Sequence, residues 1–389
     1  MMLYVILIII FLVITKNYFI NNENFEYMVN IPRIDTPVRW KRDKTCKYMM
    51  NKTLKNVLDD NNINQTDSDD WAFYFPCTYN HIKQEINNVS TRNNNQRLFI
   101  VNNADQLTSK NNIWKNLVKV YGREEARHLM PTTYILSNHT DMELFNKEHS
   151  PKKLYILKKN IQRQKGIKLT NKKTEILNSI NDNYVVVQEL LQNPYLINGR
   201  KINMRFYLLF VCQNNEVSAY VHRNGFMYYT RDPFVKNSLE DGPNITTGYI
   251  DRVVYDVNPL THDDFRNYLD KHRKLSGAEM DILNNNRRIS EVVFYRIYDL
   301  LRKTVIAVKH TVCNNSHIKR NISFQLFGAD IAVSDKLIPQ LIEVNKGPDM
   351  SYKDKRDGKV KYGVMTDIFK VLKAINNKDH GFIEIYNDD

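Results

Sequence analysis

Between Leu196 and Thr230 the chain reads "LINGRKINMRFYLLFVCQNNEVSAYVHRNGFMYYT", and three turn signals cut this run: Asn198-Gly199, Gln213 to Asn215, and Asn224-Gly225. Asn and Gly enter the left-handed backbone region at little cost, so such pairs between apolar runs specify tight hairpins. A parallel crossover needs a dozen or more residues, which these connections lack. The segment therefore predicts an antiparallel meander. Along "RKINMRF" the period of two turns Ile202, Met204 and Phe206 to one face and Lys201, Asn203 and Arg205 to the other. Arg223 ends the following strand. Three neighbouring cations repel one another unless an anion lies between them, which points to a phosphate or carboxylate site; exposed cross-strand decoration is the alternative.

A second hairpin is written in "FQLFGADIAVSDKLIPQLIEVN", with its turn at Ser334-Asp335-Lys336. Asp330 lies late in the first strand, while Glu343 and Asn345 sit two apart on the second and share a face. Three oxygen-bearing side chains that converge across a hairpin suit a hard cation such as Mg²⁺, which completes its shell with phosphates and water. A buried carboxylate satisfied by neighbours explains the same pattern. Upstream, "YILKKNIQRQKGIKL" puts Lys158 in an apolar strand and leads through a basic loop to Lys165-Gly166. A strand lysine beneath a closing loop serves phosphoryl chemistry, although one glycine makes neither a Walker motif nor GxGxxG, and a solvated basic loop fits equally.

Helical spacing marks 111–130, 287–312 and about 360–374, and short β-branched runs mark strands at 97–101, 131–136, 153–159 and 184–191. Segregated strands and helices with dominant hairpins indicate an α+β fold. The N-terminal "MMLYVILIIIFLVI" is 14 apolar residues without a cleavage site, and apolar character resumes at Tyr18. It reads as a signal-anchor over 1–20, with a cleaved signal or a buried strand as alternatives. The basic residues that follow it favour a body facing the cytosol. Residues 21–95 read as an Asn-rich linker or a small N-terminal subdomain, 96–377 as the main domain and 378–389 as a tail.

Lys and Arg outnumber Asp and Glu by 56 to 43, a net charge of +13, which favours acidic partners. No Arg-rich tract or aromatic interleaving marks a nucleic-acid groove, so nucleic acid is not the expected partner. Cys46, Cys77, Cys212 and Cys313 form no CxxC pair, so neither a zinc site nor a disulfide framework is expected, and a reducing compartment follows.

Taken in order, these clusters resemble the tubulin-tyrosine ligase family, a branch of the ATP-grasp ligases, over roughly Arg97 to Leu372. "LTSKNNIWKNLVKVYGREEARHLMPTTYIL" is similar to the family's entry segment, "VVVQELLQNPYLINGRKINMRFYLLF" to its hinge and hairpin, "YVHRNGF" to an acceptor-site strand, and "FQLFGADIAVSDKLIPQLIEVNKGPDM" to its metal-binding hairpin. The resemblance implies ATP sandwiched between two antiparallel layers. Lys158 would meet the phosphates with Lys165 and Gly166 in the covering loop, Gln188, Glu189 and Leu190 would form the adenine hinge, and Lys201 and Asn203 would line the pocket. Arg205 and Arg223 would hold the carboxylate or acyl-phosphate, and Asp330, Glu343 and Asn345 would bind Mg²⁺. It further implies a monomer that joins a free amino acid to an acidic protein tail, such as that of tubulin. Asn203 stands where the family has Asp, Gln164 where a glycine is common, and "NITTGYI" where the family has His-Leu-Thr-Asn.

Overall fold

The computed structural model describes residues 31–34, 36–78, 82–161, 166–272, 288–314 and 318–388. Its architecture is mixed α+β with antiparallel sheets, as the turn pattern predicts. Two sheets are present among these residues, one of twelve strands and one of four. The large sheet begins with β1 (Arg39–Lys41), β2 (Asn64–Gln65), β3 (Phe73–Tyr74) and β4 (Arg97–Leu98), paired in parallel. The small sheet has the order β5 (Thr133–Ile135), β8 (Val186–Glu189), β6 (Tyr155–Lys158), β7 (Ile167–Thr170) and is antiparallel throughout.

The centre of the large sheet is the 14-residue β10 (Arg200–Gln213), which enters from β9 (Leu196–Ile197) through Asn198-Gly199. Both turn residues have positive φ, 47° and 76°, as a two-residue hairpin turn requires. Asn214 and Asn215 repeat this between β10 and β11 (Glu216–His222). The third turn signal behaves differently. β11 and β12 (Phe226–Thr230) both run antiparallel to β10 along the same edge, one beyond the other, so Asn224-Gly225 joins them in line and makes no hairpin. A Cβ at Gly225 would lie 2.2 Å from the Arg205 carbonyl oxygen, which is why glycine stands at this break.

On its other edge β10 pairs with β14 (Ser323–Val333), which pairs in turn with β15 (Pro339–Asn345). β13 (Thr246–Thr247) extends β12 at the far edge. The core is continuous from Ile31 to Phe382 and is covered by helices Lys110–Leu129, Ile289–Val308 and Lys355–Val371. The first of these breaks at Gly122, where φ is 77°.

The region read as an Asn-rich linker or a small N-terminal subdomain, 21–95, supplies in its described part β1 to β3 and the helix Lys52–Asp60, whose Thr53, Leu54, Val57 and Leu58 are buried. Those two- and three-residue strands carry too little periodicity to be read from sequence. The expected tail holds β16 (Phe382–Asn387), which pairs with β11. The cysteine expectation is also corrected, since Cys46 bonds Cys77 and Cys212 bonds Cys313. Linear spacing cannot report pairs 31 and 101 residues apart. No helix among the described residues is long and apolar enough to cross a membrane; the anchor expected over 1–20 lies outside them.

Candidate active site

Directly opposed residues of two paired strands point to the same face, so the registers decide which side chains meet. Asp330 lies opposite both Arg205 on β10 and Glu343 on β15, and Gly328 lies opposite Asn345. The stripe Lys201, Asn203, Arg205 and the set Asp330, Glu343, Asn345 therefore share one face of the large sheet. Across a cleft from them the small sheet presents Lys158, Gln188 and Glu189, followed by Leu190. All of these except Arg205 and Asn345 line one cavity, together with Lys110, Asn244, Ile245 and Thr246.

The electrostatics are those of charges withdrawn from water. Arg205 holds Asp330 through two parallel hydrogen bonds, Nη2 to Oδ2 at 2.9 Å and Nε to Oδ1. Asn345 Nδ2 donates to Asp330 Oδ2 and to Glu343 Oε1, both at 3.3 Å. Lys110 Nζ lies 3.7 Å from Glu343 Oε2. Burial raises Asp330 above the ordinary carboxylate range, an effect Arg205 opposes without cancelling. Burial also pushes Glu343 up, but Lys110, Lys158 and Arg205 together outweigh it and leave its pKa lowered. Lys158 Nζ donates to Gln188 Oε1 at 2.7 Å, and Gln188 Nε2 donates in turn to Thr133 Oγ1 at 2.9 Å. Burial lowers both Lys158 and Lys201 to about 8. Two lysines held so far below their usual range are poised to gain from an anion.

A second cavity, lined by Arg205, Tyr228, Tyr249, Arg252, Lys353 and Lys361, shares Thr246, Asp330 and Glu343 with the first. The acidic pair thus stands where the two cavities meet. Gly328 lets this junction close up, because a Cβ there would sit 3.0 Å from Pro348 and 3.1 Å from the Arg205 stem. Two carboxylates opposed across a hairpin fit Mg²⁺, and Asn345, which here turns its amide nitrogen to both, would add an oxygen with its amide reversed, so few protein ligands that phosphates and water would complete the shell.

Arg223 is not part of this arrangement. The register Leu208↔Val221 carries Arg223, two residues on, to the Phe206 face, opposite that of Arg205. It is exposed beside His222, Asp367 and His380, in a separate cavity. Past the break at Gly225 the register changes, so Asn203 faces Tyr228, whose ring lies 5.1 Å from the Arg205 guanidinium. Tyr228 is what this edge contributes to the cleft. Lys110 was also missed as a site residue, although its Ser-Lys turn was visible in the entry segment. Gly166, with φ 75°, stands at the start of β7 and receives the Lys159 N–H on its carbonyl; Lys165 lies outside the described residues.

The sequence model of the tubulin-tyrosine ligase family matches residues 87–380. The chain belongs to the tubulin-tyrosine ligase family. It is 25% identical over 382 residues to a probable tubulin polyglutamylase of Caenorhabditis elegans, covering 87% of this chain and 84% of that protein. It is 23% identical over 334 residues to a tubulin polyglutamylase of Mus musculus, covering 82% of this chain. A probable beta-tubulin polyglutamylase of Tetrahymena thermophila is 25% identical over 287 residues, 69% of this chain and 23% of that protein. The chain thus spans about a quarter of the length of the mouse relative, 24%. Family membership agrees with the resemblance read from the motifs.

Proposed function

We propose that the chain is an ATP- and Mg²⁺-dependent ligase that joins an amino acid, glutamate in the first instance, to a carboxylate of an acidic protein tail such as that of tubulin. The observation that carries this reading is the junction of the two cavities at Asp330 and Glu343, which sets a lysine-lined pocket against a cleft of mixed charge. Arg205, Arg252, Lys353 and Lys361 against Asp349 and Asp357 suit a zwitterionic amino acid beside an acidic chain. The names of the relatives support glutamate. The layered arrangement supports an ATP-grasp fold, with ATP between the four-stranded sheet and the large one.

In this reading Gln188, Glu189 and Leu190 hold the adenine edge, while Lys110, Lys158 and Lys201 meet the phosphates. Asp330, Glu343 and Asn345 would hold Mg²⁺, which when bound neutralises charge on the transferring phosphoryl group. The acceptor carboxylate takes the terminal phosphoryl group to give an acyl-phosphate, and the amine of the incoming amino acid displaces phosphate from it. Arg205 lies at the cavity junction, where its guanidinium can stabilise the developing oxyanion with donors at fixed geometry.

ADP release from the purified protein, supplied with Mg²⁺, glutamate and acidic peptides, tests the proposal. Turnover that needs both the peptide and glutamate is the expected result. ATP binding without turnover for every amino acid offered would overturn it in favour of a nucleotide-binding module.

A further inference from the structure

The cysteines take no part in the cleft, yet each of the four is paired. Cys46 lies in the loop after β1 and Cys77 just after β3; Cys212 is the penultimate residue of β10 and Cys313 follows the helix Ile289–Val308. Both pairs have their Cα atoms 5.4 Å apart, within bridging range. These are two independent long-range meetings, because the first lies among the parallel strands and the second ties the end of β10 to the segment after the helix Ile289–Val308.

The backbone supplies a further observation. Cys313 has φ 64°, the left-handed region that a residue with a Cβ avoids, and it is bonded to Cys212, which is 2% exposed. Other uses of cysteine find no support. No group of three or more His, Cys, Asp or Glu suited to a metal occurs among the described residues. Neither pair lines the cavities that meet at Asp330 and Glu343.

Disulfides persist in oxidising compartments and are rare where glutathione keeps thiols reduced. We propose that this domain matures with both pairs oxidised, in a disulfide-forming compartment, and not in the reducing cytosol expected from cysteine spacing and from the basic residues after the apolar N-terminus. In each pair two thiols lose two protons and two electrons as the S–S bond forms. The electrons pass by thiol–disulfide exchange to an oxidised dithiol oxidoreductase, whose own disulfide becomes two thiols. On the ligase reading, the acceptor is then the acidic tail of a protein exposed to that same compartment, in place of cytosolic tubulin. The pairing itself does not depend on that reading.

Thiol trapping in intact cells tests it. The full chain is produced in eukaryotic cells, treated with a membrane-permeant maleimide before lysis, and then denatured, reduced and labelled with a second reagent. The expected result is no first label on any of the four cysteines, the second label on all four, and linked peptides Cys46–Cys77 and Cys212–Cys313 before reduction. First label on any of the four in most of the protein, or a different pairing, overturns the proposal. The double variant Cys46→Ser with Cys77→Ser keeps the test open if loss of the buried pair prevents folding. In it, Cys212 and Cys313 should remain unlabelled and linked. Ligase activity is read separately, so its absence leaves the thiol result intact.

Discussion

The two sheets that face the cleft solve the problem of a buried charge in different ways. On the large sheet both carboxylates are answered nearby: Asp330 by the Arg205 fork, Glu343 by Asn345 and by Lys110 at the start of the helix Lys110–Leu129, all packed on a core that runs through most of the chain. The small sheet rests on its own cluster of Tyr134, Leu136, Phe145, Tyr155, Leu157, Ile176 and Val187, and offers Lys158 only the neutral amide of Gln188. Full compensation for Lys158 must come across the cleft, from Glu343 or from a phosphate. The large sheet is therefore a preorganised acidic platform, and the small one a cationic cover whose charge needs a partner on the other side.

The largest effect is expected on the platform. Glu343→Gln keeps the shape and removes one of two opposed carboxylates, so turnover should fall by about 10³-fold, the scale seen when a single preorganised electrostatic group is lost. Thermal midpoint and near-UV circular dichroism should stay close to the parent. Retained turnover would remove the metal assignment and leave the platform merely structural.

Next comes the cover's independence. Phe145 is fully buried in the small cluster, and Phe145→Ala should cost about 3 kcal/mol. If the cover is a separate cooperative unit, hydrogen exchange will speed up in 133–135, 155–158 and 186–189 while β10 and β14 keep their protection. Uniform acceleration would show the two sheets to be one unit. Lys158→Met then keeps the apolar stem and deletes the cation. Its expected cost is about 10- to 100-fold in ATP affinity, from one charge-assisted contact, with little change in the affinity for the acceptor peptide.

The same contrast explains what the sequence made legible. Lys201, Asn203 and Arg205, and likewise Glu343 and Asn345, lie within single uninterrupted strands, where a period of two fixes the shared face without knowledge of the fold. Arg223 takes its face from the pairing of β11 with β10, which its own strand does not report. Paired positions sum to 429 before Gly225, as in Leu208↔Val221, and to 431 after it, as in Ile202↔Tyr229; both sums are odd, so the even-numbered Tyr228 and not the odd-numbered Arg223 shares the face of Arg205. The break looks like a hairpin in sequence, since Asn-Gly serves both. The disulfides and the parallel strands before residue 99 depend on long-range meetings, for which spacing along the chain holds no signal.

The smallest expected effect is the sharpest test of the cover, because it has two opposite signs. Lys158 and Lys201 have folded pKa values of about 8, below the 10.5 of an unburied lysine. Between those limits the unfolded chain binds more protons than the folded one, so the ATP-free protein should gain stability as pH rises from 8 towards 10.5. Phosphates favour the charged lysines, so ATP binding near pH 8 must draw protons from solution, and affinity must fall as pH rises through 8. About a tenfold loss is expected between pH 7 and pH 8.5 if both lysines take part. Titration calorimetry in buffers of different ionisation enthalpy measures the proton uptake, which should vanish near pH 6.5, where both lysines are already charged. Uptake halved in Lys158→Met would assign one proton to the cover and one to the platform. Affinity flat from pH 7 to 8.5 would mean that the phosphates lie elsewhere.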